Sequence, residues 1–265
     1  MSTLLIFGLG YTGQAIATLF RAAGWRVEAT GRAGTLDFGD EPAIRAAIAR
    51  ADAVLSSVPP ADGADPVLTR YADALPGRWL GYLSSTGVYG DCAGAWVDET
   101  APIGQESRHT RRTARAAADL AWLALGARTF RLPGIYGPSR SAFDRLREGR
   151  AHRIALPDQI FSRVHVSDIA RAILAALPAP PGAYNLADNL PAPQNAVIEE
   201  AARLSGLPLP PLFSIDDPRL PPASRALYAE NRRIAYGKAR RLLGWEPEFP
   251  TYREGLRAIW RQEKG

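Results

Sequence analysis

The chain has 265 residues, 46% of them hydrophobic and 22% charged, ordinary proportions for a globular protein able to bury a substantial core. A formal charge of +5 would suit a nucleic-acid partner, but the cations are nearly all Arg (the lysines are Lys238 and Lys264), scattered over predicted helices, so none is expected. No apolar run approaches a membrane span, no signal-peptide pattern leads the chain, and the single Cys92 can form no internal disulfide; the chain reads as cytoplasmic, with no membrane partner.

Leu4-Leu5-Ile6-Phe7 is an apolar run ending in Gly8-Leu9-Gly10-Tyr11-Thr12-Gly13, which opens a helix to Ala23 closed by Gly24. A strand, a GxGxxG turn and a helix form a dinucleotide-binding pattern. Gly8 permits the tight turn, Gly10 lets backbone approach a pyrophosphate, and Gly13 lets helix and strand pack closely. The helix N-terminus, with Tyr11 and Thr12 in its first turn, offers unpaired N–H groups to phosphate.

Arg26–Thr30 is the second strand, whose end selects the cofactor. Glu28 lies inside it, and the tip is Thr30-Gly31-Arg32. A carboxylate at the tip would bind a ribose 2′-hydroxyl, whereas Thr30 and Arg32 suit a 2′-phosphate, so the tip reads as NADP over NAD. Leu36–Phe38 reads as a short strand, Asp40 caps a helix with Pro42 in its first turn, and Asp52–Val58 is a buried strand ending at Pro59-Pro60. A helix follows from about Gly63 to Leu75. Arg78–Ser84 is the next strand, and the hydroxyls of Ser84 and Ser85 end it beside the expected cofactor. A long helix from about Ser107 to Leu125, the strand Ala127–Leu132 and the turn starting at Pro133 complete an alternating pattern. The implied fold is α/β: a doubly wound parallel Rossmann sheet with helices on both faces.

Beyond Pro138 the pattern loosens into a short helix over Ser141–Arg150, a strand Phe161–Val166, and a helix capped by Ser167-Asp168 and running to Leu177. Pro178–Gly182 marks a break in composition. The expected division is residues 1–177, with an excursion near 139–162, and a smaller α+β domain over 178–265 that caps the strand ends.

The glycine loop, Ser84-Ser85-x-x-Val88-Tyr89-Gly90, Arg131-Leu132-Pro133-Gly134-Ile135-Tyr136-Gly137-Pro138 and Arg163-Val164-His165-Val166-Ser167-Asp168 stand in order. Together they resemble the extended short-chain dehydrogenase/reductases, the NAD-dependent epimerase/dehydratase family, over nearly the whole chain, and look most like its atypical members. Phe7 occupies the first glycine of that family's GxxGxxG. The resemblance implies that Ser85 binds the substrate oxygen. It also calls for a Tyr-x-x-x-Lys pair, because an unperturbed phenol is a poor base at neutral pH. No such pair exists here. Alignment of the long helix places Arg111 at the Tyr position and Arg115 at the Lys position, with Asp119 where the family often has Glu. Arg115 can bind the nicotinamide ribose; Arg111 can stabilise an oxyanion but cannot cycle a proton. Asp65 stands where the family has a structural Asn.

His109, one turn at most from the missing Tyr, is an acid/base candidate by location. Tyr136 with Arg140, Tyr89 and His165 are others, each set against a packing role. Cys92 with His109 makes neither a metal site nor a Cys/His dyad, and no metal is expected. Two readings stay open: an NADP-dependent oxidoreductase or epimerase-like enzyme acting on an unknown carbonyl or sugar-type small molecule, its proton coming from His109, water or a tyrosine of the second domain, or a non-catalytic NADP(H) sensor. Helix-pair homodimers are common in the resembled superfamily, and a homodimer is compatible with this chain.

Overall fold

The structure, a computed structural model, describes residues 1–104 and 110–264. β1 (Thr3–Phe7) is buried at all five positions and feeds through the glycine loop into α1 (Tyr11–Ala22). β2 (Arg26–Ala29) follows, and Leu36 contributes one parallel bridge to Thr30 in place of the expected short strand. α2 (Glu41–Arg50) starts at Asp40, whose carboxylate accepts the Ala43 N–H at 3.0 Å. β3 (Ala53–Ser56), α3 (Pro66–Tyr71) and β4 (Trp79–Ser85) come next, then a two-residue β5 (Trp96–Val97), α4 (Thr110–Ala124) and β6 (Arg128–Leu132).

The later chain is made of short pieces: β7 (Gly134–Tyr136), α5 (Ala142–Arg147), β8 (Arg153–Ile154), β9 (Arg163–His165), α6 (Val166–Ala175), β10 (Gly182–Asn185), α7 (Gln194–Ser205), β11 (Leu212–Phe213), α8 (Pro222–Leu227), β12 (Arg233–Ile234), α9 (Gly237–Leu243) and α10 (Tyr252–Lys264).

Six strands form one parallel sheet in the order β10-β6-β4-β3-β1-β2. The chain steps from β1 outward to β2, then returns to the other side of β1 with β3. The strand order therefore reverses between β1 and β3, which opens the crevice where α/β sheets bind ligands. Alternation along β1 sends Leu4 and Ile6 to one face and Leu5 and Phe7 to the other. The first face packs against α1 and α6 through Ile16, Phe20, Ile169 and Ile173. The second packs against α2, α3 and α4 through Ile44, Tyr71 and Trp122. A third cluster joins Phe143 of α5, Val197 and Ala201 of α7, and Leu256 and Ile259 of α10.

β10 lies beyond the break at Pro178–Gly182, yet it pairs with β6 and completes the main sheet. Ala239, Leu243 and Trp245 pack in the same core as Ile6 and Phe20. The segment past residue 178 thus supplies a strand of the sheet and part of its core.

Ser167-Asp168 does not cap α6 as the sequence suggests. His165 does, accepting the Ser167 N–H on Nδ1 at 3.3 Å, while Ser167 Oγ sits 2.7 Å from the same nitrogen. Asp168 turns away and accepts the Glu248 and Phe249 N–H groups, tying α6 to the segment before α10. Among the described residues, no helix is long and apolar enough to cross a membrane, and no cluster of three or more His, Cys, Asp or Glu could hold a metal.

Candidate functional site

The candidate residues lie along the carboxyl edge of the sheet, one strand at a time. Crossing from β6 to β2, one meets Pro133, then Ser84 and Ser85, then Pro59, then Gly8 to Gly13, then Thr30 and Arg32. Three strand spacings separate β2 from β4, roughly 14 Å at the usual ~4.8 Å per strand.

The glycine loop is braced from both sides. Gly8 has φ +88°, and a Cβ there would stand 2.8 Å from Ser57 Oγ and 3.1 Å from Val58. Its N–H donates to Thr30 Oγ1 at 3.1 Å, and its carbonyl accepts from the Ser57 hydroxyl. Gly10 is exposed, no side chain caps α1 there, and nothing stands within 4 Å of a Cβ built on it. A Cβ on Gly13 would meet the Gly8 carbonyl at 2.8 Å, so the helix can sit this close only with glycine at that position. The loop thus presents an uncapped helix N-terminus and bare backbone, which suits a pyrophosphate.

Other candidates are placed less as expected. Thr30 is 2% exposed, and its hydroxyl is bound to the loop instead of facing a phosphate. Arg32 is exposed and has no ion-pair partner among the described residues. Glu28 is buried and held by Arg26 and Arg50, whose hydrogen bond keeps its carboxyl below the usual range. Thr12 is buried in the first turn of α1. The Tyr11 phenol donates to the Pro138 carbonyl at 3.0 Å, and burial pushes its pKa up to about 12. Pro59 is exposed on the loop after β3.

Ser84 and Ser85 alternate across β4. Ser84 is buried, its hydroxyl without a partner among the described residues, while Ser85 lines a cavity of about 410 Å³. Ser85 Oγ accepts the Gly87 N–H at 3.1 Å, leaving its proton free to donate to a bound oxygen. The same cavity takes Arg115 from α4, Pro133, and Glu230 with Arg232 from the segment before β12. Arg115 donates to the Tyr82 hydroxyl at 3.0 Å and to the Leu83 carbonyl at 3.4 Å. Tyr82 stacks on Trp122, and burial pushes its phenol up to about 12. Trp122 Nε1 in turn donates to Asp65, which caps α3.

One helical turn past Arg115, Asp119 is wholly buried and accepts from Arg131 of β6 at 2.9 and 3.3 Å. Arg131 also donates to the Tyr89 hydroxyl at 3.0 Å, and Tyr89 donates to Asn185 Oδ1 of β10 at 2.7 Å. The chain of bonds locks Tyr89 into a structural network. Tyr136 does not face the crevice as its strand-end position suggests. It packs against Gly255 and His165, reaches the Thr251 carbonyl at 3.5 Å, and is raised well above the usual phenol range by burial. His165 is buried between Tyr136 and Phe249, and burial lowers its pKa to about 4. His109 lies outside the described residues, as does the side chain of Arg111, whose backbone is in the first turn of α4.

Sequence reading missed Ser57 and the Tyr82–Arg115 contact. Ser57 lacks any motif. Tyr82 and Arg115 are separated by a loop whose path no local pattern encodes.

No family model and no curated protein matches the chain. Solved structures do. A conserved protein of unknown function from Silicibacter pomeroyi is 38% identical over 100% of both chains, with a TM-score of 0.87. The dTDP-glucose 4,6-dehydratase of Bacillus anthracis, in complex with NAD, is 18% identical over 100% of this chain and 97% of that one, with a TM-score of 0.78. A human epimerase family protein with NADPH is 16% identical over 97% and 99%, with a TM-score of 0.75. The chain belongs to the family of the Silicibacter protein, built on the fold of the NAD-dependent epimerase/dehydratases among the extended short-chain dehydrogenase/reductases.

Proposed function

We propose that the chain is an NADP(H)-dependent oxidoreductase or epimerase-like enzyme acting on a carbonyl or alcohol carbon held in the Ser85 cavity. The observation that carries the reading is this open cavity at the end of β4, with a serine hydroxyl free to donate and a guanidinium beside it. The solved neighbours named above, one with NAD and one with NADPH, support a nicotinamide cofactor.

The residues fit such a group. Gly10 leaves open space at the α1 N-terminus, Pro59 and Pro133 follow β3 and β6 on the same sheet edge, and Arg32, without an ion-pair partner among the described residues, supplies a cation for a 2′-phosphate. Glu28 is sequestered by two arginines and offers no carboxylate at the tip. When bound, the cofactor supplies or accepts the hydride. Ser85 orients the substrate oxygen by donating its proton while the Gly87 N–H fixes the hydroxyl. Arg115 adds positive charge where oxygen becomes anionic. Tyr11, Tyr82, Tyr89 and Tyr136 are all engaged elsewhere, so proton delivery falls to water, to His109 or to a tyrosine past residue 178, such as Tyr228 beside Leu227 of the cavity wall.

Those engaged phenols also favour the second reading, a cofactor-sensing protein without turnover. Calorimetry and an oxidation assay separate the two. NADPH should bind more tightly than NADH, Arg32→Ala should erase the difference, and NADPH should be consumed with some member of a panel of aldehydes, ketones and nucleotide sugars. Equal affinity for the two cofactors refutes the assignment to NADP, and binding without turnover across the panel favours the sensor.

A further inference from the structure

Tyr11 opens α1, and its side chain leaves the glycine loop for a distant part of the chain. Its hydroxyl donates to the Pro138 carbonyl at 3.0 Å, 127 residues on, and its ring carries Arg140, whose guanidinium carbon stands 5.5 Å from the ring centroid. The segment it meets is a tight hairpin. Gly137 and Arg140 exchange backbone hydrogen bonds of 3.3 and 3.1 Å, Ser139 turns through φ +60°, and Ser141 then caps α5. The fit leaves no slack at Gly137, where a Cβ would stand 2.5 Å from the Tyr11 hydroxyl and 2.7 Å from Val166 Cγ1. Burial pushes the Tyr11 phenol up to about 12, so it stays a donor at neutral pH.

The hairpin brings a cation to the open end of α1. Cα–Cβ bonds of a helix lean toward its N-terminus, so a ring on the first residue projects from the end that Gly10 leaves uncapped. Arg140 rests on that ring. Its side chain is exposed and forms no hydrogen bond or ion pair among the described residues. Asp144, the carboxylate nearest in sequence, is engaged: it accepts the Ser141 N–H and hydroxyl, each at 2.7 Å, and pairs with Arg147 at 3.8 Å. Contact with an aromatic ring steadies a guanidinium without using up its N–H donors, which remain able to grip an oxyanion in pairs.

A pyrophosphate at a helix N-terminus meets backbone N–H groups and roughly +0.5 elementary charge, too little to balance it. We propose that the Gly137–Arg140 hairpin is part of the cofactor site, with Arg140 supplying the counter-charge for the pyrophosphate and Tyr11 holding it in place. The proposal rests on the chain binding a nicotinamide dinucleotide. It divides two arginines by phosphate: Arg32 serves the 2′-phosphate that separates NADP from NAD, and Arg140 the pyrophosphate that both share. Arg140 also borders the cavity beyond Gly134, so the alternative is a cation serving that cavity alone.

Calorimetric titrations of the full chain with NADPH and with NADH separate the roles. Arg140→Gln should weaken both about tenfold and keep their ratio, whereas Arg32→Gln should weaken NADPH alone. The Arg140→Gln effect should shrink as NaCl is raised, which a merely structural role would not do, and Arg140→Lys should keep most of the affinity. Tyr11→Phe keeps the ring but loses the bond to Pro138, and should weaken both cofactors about threefold. Arg140 is exposed, and an unchanged melting temperature shows that its variants fold. Affinities within about twofold of wild type in Arg140→Gln assign Arg140 to the neighbouring cavity and overturn the proposal. A loss for NADPH alone overturns it too, because Arg140 then serves the 2′-phosphate. If the wild-type chain binds neither dinucleotide, the cofactor reading itself falls and the proposal with it, an outcome distinct from binding that ignores Arg140.

Discussion

Neutralising Asp119 should damage the whole sheet edge. Asp119 is fully buried and Arg131 is 3% exposed, and the two share hydrogen bonds of 2.9 and 3.3 Å. In Asp119→Asn the geometry is kept but Arg131 becomes a buried cation answered only by the Tyr89 hydroxyl and a neutral amide. Breaking one partner of such a pair costs about 3–5 kcal/mol. A folded domain holds about 5–15 kcal/mol in all, so the variant should lose a large fraction of its stability. For a chain of this size each kcal/mol moves the melting temperature by about 2–4 °C, giving a drop of about 6–20 °C. Urea denaturation with a constant slope gives the free energy directly. The double variant Asp119→Leu with Arg131→Met should recover most of the loss, since removing both charges leaves neither uncompensated. A loss below about 1 kcal/mol in Asp119→Asn, or a double variant no better than the single one, would refute the reasoning.

Gly13→Ala places a Cβ 2.8 Å from the Gly8 carbonyl, which Ser57 holds, so it should cost about 1–3 kcal/mol and weaken NADPH binding in calorimetry. If a carbonyl substrate is found, Ser85→Ala should lower kcat about 100-fold or more with KM little changed, and Ser85→Thr should retain much of the rate. His165, lowered to about 4 by burial, is neutral when folded and binds a proton more readily when unfolded. Its contribution is therefore fully present above about pH 6.5 and lost as pH falls toward 4, about 3 kcal/mol in total, and His165→Gln should flatten that slope in denaturation midpoints. Asp188 runs the other way: burial raises it to about 7, so its contribution is lost as pH rises through 7, and Asp188→Asn should gain on wild type above that pH.

The glycine loop was legible because its reasons are steric and local: a tight turn, a bare approach and a close helix each demand glycine within six residues. Asp40 as a cap was legible for the same reason, since its partner is three residues away. Thr30 and His165 show the limit. Thr30 reads as a tip hydroxyl, but the return of the chain past β1 puts Gly8 N–H within its reach, a bond spanning 22 residues. His165 reads as a strand residue, and Ser167-Asp168 as the cap. Tertiary packing against Phe249 decides otherwise, freeing Asp168 to hold a segment 80 residues on. Glu230 and Arg232 were invisible for a different reason. They come from the segment before β12 and join Ser85 of β4 and Arg115 of α4 around one space only when the chain folds.

The sixth strand has a consequence for how the chain is made. Gly182–Asn185 closes the sheet against β6, and Asn185 receives the Tyr89 hydroxyl from β4's far end. Until residue 185 emerges during synthesis, β6 is an open edge with unpaired backbone groups, and the face that Trp245 covers stays wet for 60 residues more. The nascent chain therefore carries its dinucleotide loop early but a sticky, incomplete sheet until near the end. A stop placed at the composition break would yield an aggregating fragment, not a small working domain.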